Sequence, residues 1–152
     1  MMKNNSFWTI VLSSAVAVAC TKENAQVLTL NESEYFEERG VNVLVYSNNP
    51  NGGFNDEKNT GIEPIHHGVR TLQGGTIRLS RTPEQWDLMP DMTSRKVSKQ
   101  DNSIEVGLEY KEYAFKSRIT VTAKGQDVEV SVWLDEPLPE SVMGKAGFNL
   151  EI

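Results

Sequence analysis

From Ile104 to Leu134 the chain alternates apolar and polar residues in three successive runs, and that alternation limits what it can fold into more than any other feature. Ile104, Val106, Leu108 and Tyr110 alternate with Glu105, Gly107 and Glu109. Tyr113, Phe115, Ile119 and Val121 follow, set against Lys116, Arg118, Thr120 and Thr122. After Lys124-Gly125-Gln126-Asp127 come Val128, Val130, Val132 and Leu134, with Glu129 and Ser131 between them. A period of two puts each set on one face of a strand, so the spacing predicts a three-stranded antiparallel meander with one apolar face. Such a face must be covered. No segment after the leader keeps a helical period, so the cover is expected from a second sheet built of earlier strands. The expected fold is all-β: a single antiparallel β-sandwich over residues 26–152. Trp133 is the exception within the meander, because it falls on the polar face beside Ser131 and Glu129.

The earlier strands are less regular. Val27–Leu30 is a short strand, and Asn31–Gly40 is a polar turn of helix or a loop. Val41–Tyr46 is half-buried, with valines at 41, 43 and 45 facing inward. Ser47–Gly61 is a long turn-rich loop, rich in Asn, Gly and Pro. A hairpin is then expected between Ile62 and Trp86. Its first strand would put Ile65, His67, Val69 and Thr71 on one face and His66, Gly68, Arg70 and Leu72 on the other. Gln73-Gly74-Gly75 would turn the chain, and Thr76–Ser80 would return with Ile77 and Leu79 inward. Arg81–Met92 shows no period, and Arg95–Ser98 is a brief strand closed by the Lys99–Asn102 turn.

The N-terminus resembles an export signal. Lys3 precedes the apolar run Phe7–Val18, which is too short for a permanent membrane span. Residues 1–19 are therefore expected to be removed. Ala17-Val18-Ala19 fits an ordinary signal peptidase. Ala19-Cys20 instead resembles a bacterial lipobox, with Cys20 acylated and residues 20–25 serving as a tether. On the second route the chain is an outer-membrane or cell-surface lipoprotein, and on the first it is periplasmic or secreted. Cys20 is the single cysteine, so no intrachain disulfide is possible. Loss of Lys3 and of no acid changes the net charge from −6 to −7. That balance argues against nucleic acid, whose phosphates call for clustered Lys and Arg. Any membrane contact is expected through the lipid alone.

Candidate chemistry is sparse. On a strand, the rings of His66 and His67 would point to opposite faces and could not share one ion without a bulge. Asn55–Asn59 offers oxygen ligands, but Lys58 and Thr60 stand where a calcium loop wants carboxylates or amides. The sequence has no G-x-S-x-G and no phosphate-binding glycine loop. With 21 acids in the chain, spacing singles out no carboxylate pair for glycoside hydrolysis. No catalytic, cofactor or metal residue is therefore assigned. The residues expected to contact glycan or a neighbouring domain are His66, His67, Arg70, Trp86 and Trp133.

Several segments taken together carry a family resemblance. Tyr35–Tyr46 (YFEERGVNVLVY), Ile65–Arg70 (IHHGVR), Ile77–Asp87 (IRLSRTPEQWD), Arg95–Val97 (RKV) and Asp135–Leu150 (DEPLPESVMGKAGFNL) resemble the N-terminal β-domain of large exported proteins of glycoside hydrolase family 9, from Bacteroidetes and relatives. The resemblance spans essentially all of the chain after the leader. It implies a supporting β-domain that precedes a longer helical domain carrying the inverting acid and base. No catalytic position of that family falls within these 152 residues. Phe148, Leu150 and Ile152 alternate with Asn149 and Glu151 as a last strand, and the sequence ends within that pattern. The expected partner is therefore a catalytic domain, as a continuation of the chain or as a separate chain, and polysaccharide beyond it. The rival expectation is a free-standing surface lipoprotein that binds glycan or protein.

Overall fold

The computed structural model describes residues 26–47, 61–79 and 90–152. The signal segment, Cys20 and its tether, the loop from Asn48 to Thr60 and the corner that holds Trp86 lie outside the described residues. What is described is an all-β sandwich. One sheet has five strands in chain order: β1 (Thr29–Leu30), β2 (Phe36–Glu38), β3 (Val41–Val45), β4 (Ile62–His66) and β5 (Val69–Arg70). Next come β6 (Gln73–Arg78), β7 (Asp91–Ser98), β8 (Ser103–Tyr110), β9 (Phe115–Lys124), β10 (Asp127–Leu134) and β11 (Gly147–Glu151). β7 to β10 form the second sheet, and β6 pairs with β11 as a two-stranded ribbon. All pairings are antiparallel.

The expected meander is present, and it gains β7 as a fourth strand. Ile104, Val106, Leu108, Tyr110, Phe115, Ile119 and Val121 are all buried, and they form one core with Phe36, Val43, Val45 and Ile62 of the other sheet. Val142, in a single 3₁₀ turn, is buried in the same core. Fully burying a side chain of this size stabilises by roughly 1.5–3 kcal/mol, so this shared core is the main cohesive force. Ser117 takes the inward slot between Phe115 and Ile119, and its hydroxyl has no partner among the described residues.

Four expectations about the chain before β8 need correction. Asn31–Gly40 is neither helix nor loop throughout, because Phe36 anchors β2 and is fully buried. The 91–98 stretch is a full strand rather than a brief one, with a bulge between Met92 and Ser94. The hairpin turns at His67-Gly68, not at Gln73–Gly75. Both turn residues have positive φ, 47° and 80°, as a two-residue type I′ turn demands. Finally, β6 does not return along β4; it runs against β11. Gly74 and Gly75 do adopt left-handed φ, 131° and 102°, but they serve close approach instead of reversal. A Cβ on Gly74 would lie 2.6 Å from the Asn149 carbonyl oxygen, and one on Gly61 would lie 2.3 Å from the Gly74 carbonyl oxygen. Ile77 and Leu79 are buried as expected.

Candidate functional site

The two histidines sit at the tip of the β4–β5 hairpin. His66 ends β4, and His67 opens the turn, so backbone alternation does not separate them. Their rings instead meet edge to face, with centroids 6.3 Å apart and planes at 83°. The His67 amide donates to the Gly40 carbonyl at 2.8 Å. Its ring covers Gly40 so closely that a Cβ there would come within 2.7 Å of Cε1. His67 thus packs one turn against another. Among the described residues no group of three or more His, Cys, Asp or Glu side chains could hold a metal ion.

Arg70, on β5, reaches Glu63 only at 3.9 Å and remains half exposed. With Thr71, Leu72, Gln73, Glu151 and Ile152 it lines a pocket of about 220 Å³. The Glu151 carboxylate accepts from Arg78 and, at 3.1 Å, from Asn149 Nδ2. The pocket therefore carries a guanidinium on the β5 side and a carboxylate on the β11 side. Beside it the ribbon shows apolar surface: Phe148 is 37% exposed and Leu150 39%. Val69, next to Arg70, is also exposed.

Trp133 lies on the other sheet, on its outward face, and is 52% exposed. The Lys124–Asp127 turn fixes the register that sets it opposite Arg118, which in turn stands opposite Gly107. Arg118 Nε donates to Asp135 Oδ1 at 2.7 Å and Nη1 to Glu105 Oε2 at 3.4 Å. The Asp135 hydrogen bond, more than its charge or that of Glu105, raises the Arg118 pKa and keeps the guanidinium charged. Gly107 is buried on this face, because Thr93 and Ser94 at the β7 bulge fill the space that a side chain would take. A Cβ would lie 2.8 Å from Thr93 Oγ1 and 2.6 Å from Ser94 Oγ.

The structure thus divides the expected contact residues. His66, His67 and Arg70 share the β4–β5 hairpin, Trp133 belongs to the outer face of the second sheet, and Trp86 lies outside the described residues. Arg118, the cross-strand neighbour of Trp133, and Gly107, opposite Arg118 on the next strand, were not singled out in the sequence. Counting back from the turns at Gly125 and Lys111–Ala114 would have found both, and an interior strand glycine is itself a sign of close approach. No family model, curated protein or solved structure matches the chain.

Proposed function

We propose that this chain is the non-catalytic N-terminal β-sandwich module of an exported polysaccharide-degrading glycoside hydrolase, where it braces the catalytic domain and contacts glycan. The observation that carries the reading is the half-exposed apolar strip of β11 beside the pocket of Arg70 and Glu151. An apolar strip flanked by opposite charges is what an interdomain contact within one chain uses. The wording of IHHGVR and GKAGFNL supports the same reading, and Ala19-Cys20 after the apolar run supports an acylated Cys20 that holds the module at the outer membrane or cell surface. The bracing contact would come from the β11 strip and the pocket rim.

The test reads the coding sequence beyond codon 152. A long helical domain there, co-expressed with this module, should co-elute with it, and Phe148→Ser with Leu150→Ser should abolish co-elution. Co-elution that ignores both changes, or a helical partner that never associates, would remove the bracing role. Labelling with a fatty-acid analogue checks the anchor: incorporation in the native chain should disappear in Cys20→Ala.

The rival reading, a free-standing surface lipoprotein that binds glycan or protein, draws on Trp133. A half-exposed tryptophan on a polar sheet face gives a ligand a platform that needs no second domain.

A further inference from the structure

The outer face of β7–β10 has an unusual balance of chemistry. Apart from Asp127 at the turn, its charged side chains are engaged with one another. Lys96 meets Glu105 at 3.1 Å, Lys116 meets Glu109 at 3.6 Å and Lys124 meets Glu129 at 2.8 Å. Arg118 holds Glu105 and Asp135, and Lys111 holds Asp91 at 2.7 Å. The face is therefore locally compensated and offers no free field to an anion or a cation. Between the pairs lie hydroxyls: Ser131, Thr120, Thr93 and Ser94. Above them stands one large aromatic ring, Trp133. Its cross-strand neighbour Arg118 presents five N–H donors, of which Asp135 and Glu105 engage two.

We propose that this face is a binding platform for a neutral polysaccharide, with Trp133 as the stacking residue and Arg118, fixed by Asp135 and Glu105, as the hydrogen-bonding residue. A sugar ring presents C–H groups on one side and hydroxyls at its rim. The indole face takes the first. The remaining guanidinium donors, the carboxylates and the Thr and Ser hydroxyls take the second. Because Gly107 has no side chain, the Thr93 and Ser94 hydroxyls pack over it, on the strand next to Arg118, and add donors and acceptors to the same face. A nucleic acid or acidic glycan is disfavoured, because the basic side chains are already matched and the chain carries a net charge of −6. A docked protein would want clustered apolar side chains at its centre, and on this face Trp133 stands among charges and hydroxyls.

The inference deepens the glycan side of the proposed function and rests on that reading for its biological setting. The bracing role depends on Phe148 and Leu150, which this face does not include, so either can fail without the other. The test is calorimetric titration of the full chain with cellohexaose, laminarihexaose and xylohexaose, and with an oligogalacturonide of equal length. At least one neutral hexaose should bind saturably and the acidic one should not. Trp133→Ala should weaken that binding by about tenfold or more, a loss expected of a central aromatic contact. Trp133→Phe should recover part of it, and Arg118→Gln should weaken it less than Trp133→Ala. Trp86→Ala should leave it unchanged. Because Trp133 is half exposed, Trp133→Ala should also melt as the native chain does. Absence of saturable binding to every neutral hexaose at millimolar concentration overturns the proposal. So does binding that Trp133→Ala leaves intact or that Trp86→Ala abolishes. Trp133-dependent self-association without a sugar response overturns it too, in favour of a protein contact.

Discussion

From Asp91 to Leu134 each strand pairs with the next through a short turn, and register follows from local reversal alone. The sheet stacked on it, β1 to β5, also pairs in chain order, but its strands are short, and the β6–β11 ribbon joins strands far apart in the chain. Arg78 on β6 meets Glu151 on β11, 73 residues later, and single side chains fasten the two halves together. Asn102 Oδ1 accepts from the Leu30 amide at 2.9 Å, while its Nδ2 donates to the Leu28 carbonyl at 2.8 Å. Arg95 donates to the carbonyls of Val45 and Glu34 and to the Glu34 carboxylate. Tyr46 donates to the Gly75 carbonyl, and Tyr110 accepts from the Ile77 amide. The four-stranded sheet is specified by periodicity and turns, while the short strands stacked on it also need long-range clasps that repay the greater entropy of loop closure.

The largest effects should come where the halves merge. Phe36 lies in the five-stranded sheet and Phe115 in the four-stranded one, and both are buried in one core. Each change to Ala should cost about 3–5 kcal/mol and leave a single cooperative transition in chemical denaturation. Two transitions would mean that the halves fold as separate units. Glycine substitutions sharpen the contrast next. Gly74→Ala must place its Cβ against the Asn149 carbonyl in a left-handed backbone, for roughly 3 kcal/mol of overpacking and strain. Gly125, at φ +66° in the β9–β10 turn, has open space around it, so Gly125→Ala should cost only about 1–2 kcal/mol. Equal costs in the same denaturation assay would break the distinction between close approach and turning.

That distinction explains what the sequence could reveal. Ile104 through Leu134 alternate over runs long enough for the period to stand out, and Trp133 is placed outward by the same count. β2 spans three residues, too few to show a period, so Phe36 among acids resembles a loop. Gln73-Gly74-Gly75 resembles a turn because turns and close backbone approach both favour glycine at positive φ. Only the β6–β11 pairing, invisible locally, decides between them. Arg95, Asn102 and the two tyrosines are clasps through partners far away in the chain, and no spacing rule points to such partners. At the candidate site, Trp133 was legible, whereas Arg118 and Gly107 needed the register that the turns impose. The Arg70 pocket was not, since it needs β5 beside β11.

Breaking the clasps should cost less than cutting the core. Tyr110→Phe leaves the buried Ile77 amide without an acceptor, for about 1–3 kcal/mol. Arg95→Ala should fall in the same range by losing charge-assisted bonds. Lys at that position should not restore them, because it lacks the planar fork. Tyr46 and Tyr110 also give the fold an alkaline limit. Burial raises both phenol pKa values; the neighbouring Tyr110 adds to the effect on Tyr46, and the Ile77 hydrogen bond partly offsets it for Tyr110. Below about pH 10, the unfolded value, both phenols are neutral in either state and their contribution is intact. Above it the unfolded chain ionises first, so stability should fall by up to ~1.4 kcal/mol per pH unit for each tyrosine. Replacing both with Phe should flatten that slope in denaturation curves taken at rising pH. An unchanged slope would mean that neither phenol is shielded.

The smallest effects belong to the charge pairs on the outer face of the second sheet. Lys124 and Glu129 lie 2.8 Å apart with both side chains more than half exposed. Water screens such a pair, and ordering two long side chains offsets most of the attraction, so Lys124→Ala should change stability by no more than about 1 kcal/mol. Raising the salt concentration should shrink the difference further, because exposed charges are screened over roughly 10 Å at 0.1 M. The Arg95–Glu34 contact makes the informative counterpart: its guanidinium is largely buried and bonds backbone as well as carboxylate. Its loss should therefore stay costly in the same salt series. Parallel salt responses for Lys124→Ala and Arg95→Ala would show that the clasp between the sheets is no more than another surface pair. Divergent responses would establish that position between the two sheets, and not charge itself, gives Arg95 its role.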